Sequence, residues 1–130
     1  MAKKILIVDD DADFRASVTE VLTHVGYEVV TAINGKEGLQ KALSERPALI
    51  VLDIMMEHDW AGYEVNQAVK FGSDESTASI PILMVSSIPT DPAARFCRAT
   101  EAGMVTPDDY LTKPLDIPEF LARVRTFVGE

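Results

Sequence analysis

A three-layer α/β sandwich around a doubly wound, five-stranded, mostly parallel sheet is the fold that this sequence predicts, and three observations predict it. Five short apolar runs, rich in β-branched residues and each stopped by polar ones, recur along the chain. Runs of that length without alternation read as strands buried on both faces. Segments whose apolar residues repeat at helical spacing lie between them, and the connections are short. Strands and helices in alternation specify a parallel sheet covered on both sides. At 130 residues with 47% hydrophobic content, a single domain over 1–130 with its own core is expected.

Each element has its own signal. Residues 3–8 are a first apolar strand, closed by Asp9, Asp10 and Asp11. From Asp13 the period changes: Phe14, Val18, Val21, Leu22 and Val25 share a helical face, and Gly26 caps it. Residues 27–32 form the second strand, and Asn34-Gly35 turns the chain into a helix that carries Leu39, Ala42 and Leu43 inward. Pro47 separates that helix from residues 48–53, a nearly pure apolar run that ends in the carboxylate of Asp53. A loop through Trp60 and Gly62 leads to a helix over about 63–71, then to a polar, turn-rich stretch over 72–76. The fourth strand, 82–85, follows Pro81 and ends in Ser86-Ser87; a helix through Phe96 and Ala99 to Gly103 comes next. Residues 109–112 are a short fifth strand, broken by Lys113-Pro114. Pro118 suits the first turn of a last helix with Ile117, Phe120, Leu121, Val124 and Val128 on its inner face.

Right-handed crossovers leave few topologies for this order, and the flavodoxin-like 2-1-3-4-5 is the one expected. Composition narrows the function. The net charge of -9, from 21 acidic and 12 basic residues, disfavours direct contact with nucleic acid, which needs clustered Lys and Arg. One cysteine excludes an internal disulfide, and two histidines cannot build a multi-histidine metal site. Nothing approaches the roughly 20 apolar residues of a membrane span, and no signal-peptide core opens the chain. A cytoplasmic protein with no membrane partner is expected.

With strands one and three adjacent, Asp9 and Asp10 meet Asp53 at the carboxyl edge of the sheet, where open α/β sheets hold their chemistry. Three crowded carboxylates repel unless a cation offsets them, and Mg2+ suits an all-oxygen set. Asp53 is then read as a nucleophile that accepts a phosphoryl group, with Ser86 and Lys113 at the ends of strands four and five engaging phosphoryl oxygens. Plainer roles stand beside these. Asp11 fits a helix cap, Ser86 a strand-end hydroxyl, Lys113 a surface lysine, Tyr110 a core or a contact aromatic, and Trp60 a lid or a partner anchor.

The residues 4–11, the strand end Leu52-Asp53-Ile54-Met55-Met56 and the run 108–114 together resemble the receiver domain of two-component response regulators, the stand-alone chemotaxis kind included. The resemblance covers essentially the whole chain. It implies that Asp53 is the phosphoacceptor, taking its phosphoryl group from a phosphohistidine of a sensor histidine kinase or histidine phosphotransfer protein. It further implies Mg2+ held directly by Asp10, through water by Asp9, by Asp53 and by the backbone carbonyl of Met55. Ser86 would be the switch hydroxyl, Lys113 the phosphate-binding lysine and Tyr110 the aromatic switch. Output would pass through the face of helix four, strand five and helix five to a downstream protein target or a phosphorylation-dependent homodimer. Catalysis would be confined to the domain's own phosphorylation and dephosphorylation.

Some positions depart from the family pattern. Glu57 stands where a proline is usual, and Ala61-Gly62 arrives one residue late, with His58 in the same loop. Ser87 replaces the commoner alanine, and the segment 103–107 is longer than usual. The runner-up reading is a phosphorylation-independent scaffold or interaction module, supported by that loop alone. A flavin binder of similar topology would need a hydroxyl- and glycine-rich phosphate loop where Asp9, Asp10 and Asp11 stand. No P-loop motif is present either.

Overall fold

The computed structural model describes residues 3–53, 69, 80–86, 109–112 and 115–129, with positions 86, 109, 110 and 112 described by their backbone alone. Strands β1 (Lys4–Val8), β2 (Glu28–Ala32), β3 (Leu49–Asp53), β4 (Ile82–Ser86) and β5 (Asp109–Thr112) form one sheet in the order β2-β1-β3-β4-β5. Every pairing in it is parallel. Helices α1 (Ala12–His24), α2 (Gly35–Glu45) and α3 (Ile117–Val128) complete the described elements. Of the other two expected helices, only Val69 is described, and it is helical; the one through Phe96 lies outside the described residues.

Strand alternation sorts the core into two layers. Ile5, Ile7, Leu49, Val51, Leu83 and Val85 face Val18 and Leu22 of α1 and Phe120, Val124 and Val128 of α3. Leu6, Val8, Ile50, Leu52, Ile82 and Met84 face Ala42 of α2 and Val69. Both faces of β1, β3 and β4 are therefore dry, which is why their sequences run apolar without alternation.

The helix ends follow their capping residues. Asp11 caps α1, accepting from the N–H groups of Asp13 at 2.9 Å and Phe14 at 3.3 Å. Asn34 caps α2 by accepting from Glu37 N–H at 2.8 Å, and Asp116 caps α3 with Pro118 in its first turn. At the end of α1, Gly26 takes φ +103, with Gly26 N–H donating to Thr23 and Tyr27 N–H to Leu22. That pair of bonds is a Schellman motif, and it turns buried Tyr27 back onto Leu22 within the same apolar layer.

Three expected inner-face residues are instead exposed. Val25, at 40%, is the C-cap of α1, where the chain has already left helical geometry. Ile117, at 38%, opens α3 ahead of the turn that reaches the sheet. Leu43 is displaced because the buried face of α2 is made of Gly35, Gly38 and Ala42. Small residues let this helix lie close on β1. At the open edge of the sheet, the β1–β2 ladder uses Glu28 N–H and the Ala32 carbonyl, leaving the Thr31 carbonyl facing outward. Lys41 of α2 donates to it, covering an edge that could otherwise recruit another strand. No helix among the described residues is long and apolar enough to cross a membrane.

Candidate functional site

The register of β1 on β3, from Ile5 opposite Leu49 to Val8 opposite Leu52, brings Asp9 level with Asp53 at the carboxyl edge. Both are buried, Asp9 at 0% and Asp53 at 5% exposure, whereas Asp10 faces solvent. One carboxylate oxygen from each of Asp9, Asp10 and Asp53 lies within 4.8 Å of the other two. Two unit charges so placed repel by on the order of 3 kcal/mol at an effective dielectric of about 20, a repulsion that a bound cation would offset. The donors are all hard carboxylate oxygens, and one side opens to water. Such a set fits Mg2+, which keeps several waters and takes few protein carboxylates.

Three consecutive aspartates thus do three different things. Asp9 is locked into the sheet edge: its N–H donates to the Ala32 carbonyl at 3.1 Å, and its Oδ1 accepts from Asp11 N–H at 2.9 Å. Asp10 presents its carboxylate from the exposed side. Asp11 turns away to cap α1, the plainer of the readings its sequence position allowed. Sequence reasoning missed Arg15, whose Nη1 donates to the Asp9 carbonyl at 2.7 Å from the first turns of α1. The available signal was an arginine four residues after a capping aspartate, on a helix that starts at the acidic loop.

On the other side of Asp53, the β3–β4 register sets Asp53 opposite Val85, so Ser86 ends β4 one position further along. Ser86 in turn pairs with Thr112, the last residue of β5, and Tyr110 pairs with Met84. The main chain therefore places Ser86 at the end of β4 and Tyr110 within β5, while their side chains lie outside the description. Met55, Lys113, Glu57, His58, Trp60, Ala61, Gly62, Ser87 and the segment 103–107 also lie outside the described residues.

Comparison with known proteins agrees with this geometry. The family described as response regulator receiver domain matches residues 5–125. Among relatives, the DNA-binding dual master transcriptional regulator RpaA of Synechocystis is 39% identical over 125 residues, 96% of this chain and 48% of that protein. The chain spans about half the length of the curated relatives it matches. Among solved structures, the chemotaxis protein CheY4 of Vibrio cholerae superposes with TM-score 0.78 at 30% identity, covering 98% of this chain and 99% of that one. A CheY-like receiver domain protein of Methanospirillum hungatei gives 0.80 at 28% identity, covering 99% and 95%.

Proposed function

This chain belongs to the response regulator receiver domain family, and from that premise we propose that it is a phosphorylation-activated signalling switch with Asp53 as phosphoacceptor. The observation that carries the reading is the meeting of buried Asp9 and Asp53 with exposed Asp10 at one sheet edge. Carboxylates that converge on one solvent-open edge of a sheet are what an oxygen-ligated cation requires, and Asp53 stands at the centre of that edge.

An Asp53 oxygen attacks the phosphorus of a phosphohistidine in line; the new O–P bond forms as the N–P bond breaks, and the departing electron pair stays on the imidazole nitrogen. Asp9 and Asp10, with Asp53 itself and the Met55 carbonyl, would hold Mg2+. When bound, that ion offsets the carboxylate charge and the charge on the phosphoryl oxygens. Lys113 neutralises phosphoryl oxygens from the end of β5, and the Ser86 hydroxyl donates to one of them. The product adds about -1.5 to -2 charge at the sheet edge. Ser86 and Lys113 then favour the state in which they contact it, a shift in a two-state equilibrium.

Signal output is assigned to the surface of β5, α3 and the segment that precedes β5, expected from the sequence to be helical, with Tyr110 as its aromatic switch. Among the described residues β5 is an edge strand, with no further strand beside it. The donor is a sensor histidine kinase or histidine phosphotransfer protein, and the receiver is a downstream protein or a second phosphorylated copy. RpaA is named as DNA-binding. In this chain the excess of 21 acidic over 12 basic residues favours protein partners over nucleic acid. A cytoplasmic setting follows from a kinase donor. Incubation with acetyl phosphate, with and without Mg2+, tests the reading: a metal-dependent phosphoryl adduct supports it, and its absence favours the scaffold.

A further inference from the structure

We propose that Arg15 is a positioning residue for the metal-binding carboxylates, holding the main chain of Asp9 so that Asp9 and Asp10 converge on Asp53. The inference rests on the Mg2+ reading above. Arg15 is half-buried, and its guanidinium donates to the Asp9 carbonyl at 2.7 Å across six residues. A bond from a charged donor is stronger than a neutral one. The amide side of Asp9 is held by Ala32 of β2, and its carboxylate by Asp11 N–H. The carbonyl side is held by Arg15. Because the peptide unit is planar, fixing the Asp9 carbonyl also fixes the Asp10 nitrogen and Cα, the point from which the Asp10 side chain leaves. Arg15 is itself anchored, its N–H donating to the Asp11 carbonyl at 3.0 Å in the first turn of α1.

A second effect opposes the first. The guanidinium is a positive charge near a site for a dication, and Coulomb repulsion alone would weaken Mg2+ binding. Solvent and salt screen that repulsion at a half-exposed group, whereas the directed hydrogen bond is not screened away. Positioning therefore prevails, and the two effects predict opposite signs.

The test is Mg2+ titration by calorimetry on wild type, Arg15→Met, Arg15→Lys and Asp10→Asn, with melting temperatures recorded in EDTA. Arg15→Met is expected to bind Mg2+ about tenfold more weakly, the scale of one lost hydrogen bond to a charged group. Arg15→Lys, which keeps a donor but not the fork, should recover part of that loss. A merely structural role would lower the melting temperature in EDTA and leave the affinity of the folded protein unchanged. Unchanged or tighter binding by Arg15→Met overturns the positioning role while leaving the metal site intact. Failure of wild type itself to bind Mg2+ overturns the metal reading and this inference together.

Discussion

Gly38 of α2 lies so close to Val8 of β1 that a Cβ on Gly38 would stand 2.8 Å from Val8 Cγ1. Val8 is fully buried and β-branched, so it has little freedom to move aside. The next residue is Asp9. Packing of a helix that lies on the face away from α1 thereby bears on the strand end that presents the acidic site.

Gly38→Ala is expected to destabilise the fold. Alanine gains up to about 1 kcal/mol in helix propensity, but overpacking against a stiff core valine costs typically about 1–3 kcal/mol. Urea unfolding should show a lower midpoint than wild type, and a higher midpoint would contradict the close contact.

Asp10→Asn separates the metal from the fold. Removing one of three converging charges relieves repulsion, so the variant should be at least as stable as wild type in EDTA. The same change removes an oxygen anion from the site, so added Mg2+ should raise its melting temperature much less than that of wild type. Equal Mg2+ stabilisation in both proteins would remove Asp10 from the ligand set.

Asp11→Ala should behave in the opposite way. Losing the cap of α1 costs about 1 kcal/mol, whereas Mg2+ affinity should stay near that of wild type because the Asp11 side chain is turned to the helix N–H groups. A large loss of Mg2+ affinity with unchanged stability would reverse the roles assigned to the neighbouring aspartates.

The ion pair of Lys4 with Glu45, at 3.0 Å, ties the start of β1 to the end of α2. Its hydrogen bond to Glu45 raises the Lys4 pKa above the ordinary 10.5. A raised lysine pKa contributes stability that is fully present below the unfolded value and is lost as pH rises through the folded one. Unfolding of wild type and Lys4→Met should thus differ by a constant amount from neutral pH up to about pH 10, with the difference shrinking above it. A difference that grows at high pH would be inconsistent with the pairing.

Much of this arrangement was legible in the sequence because burial on both faces leaves a distinctive trace. Residues 49–52 are all fully buried, and an apolar run of that kind has few alternatives. The alternation of strands and helices, with right-handed crossovers, then left few orders for the sheet, and the one expected brought Asp9 to Asp53. Helix faces were less legible. Apolar periodicity looks for large residues, so the glycine and alanine face of α2 was invisible to it, and Leu43 was turned inward in error. Val25 and Ile117 failed because periodicity does not mark where a cap bends the chain. Arg15 escaped for a different reason: its partner is a main-chain carbonyl, and no side-chain pattern encodes that.

The account depends most directly on Asp53 being the group that is phosphorylated. Wild type and Asp53→Ala, each incubated with phosphoramidate in Mg2+ and in EDTA, can be read by intact mass. The account predicts one phosphoryl adduct on wild type in Mg2+, and none on Asp53→Ala or in EDTA. An adduct that persists in Asp53→Ala, or a folded wild type that takes up no phosphoryl group in Mg2+, would contradict it.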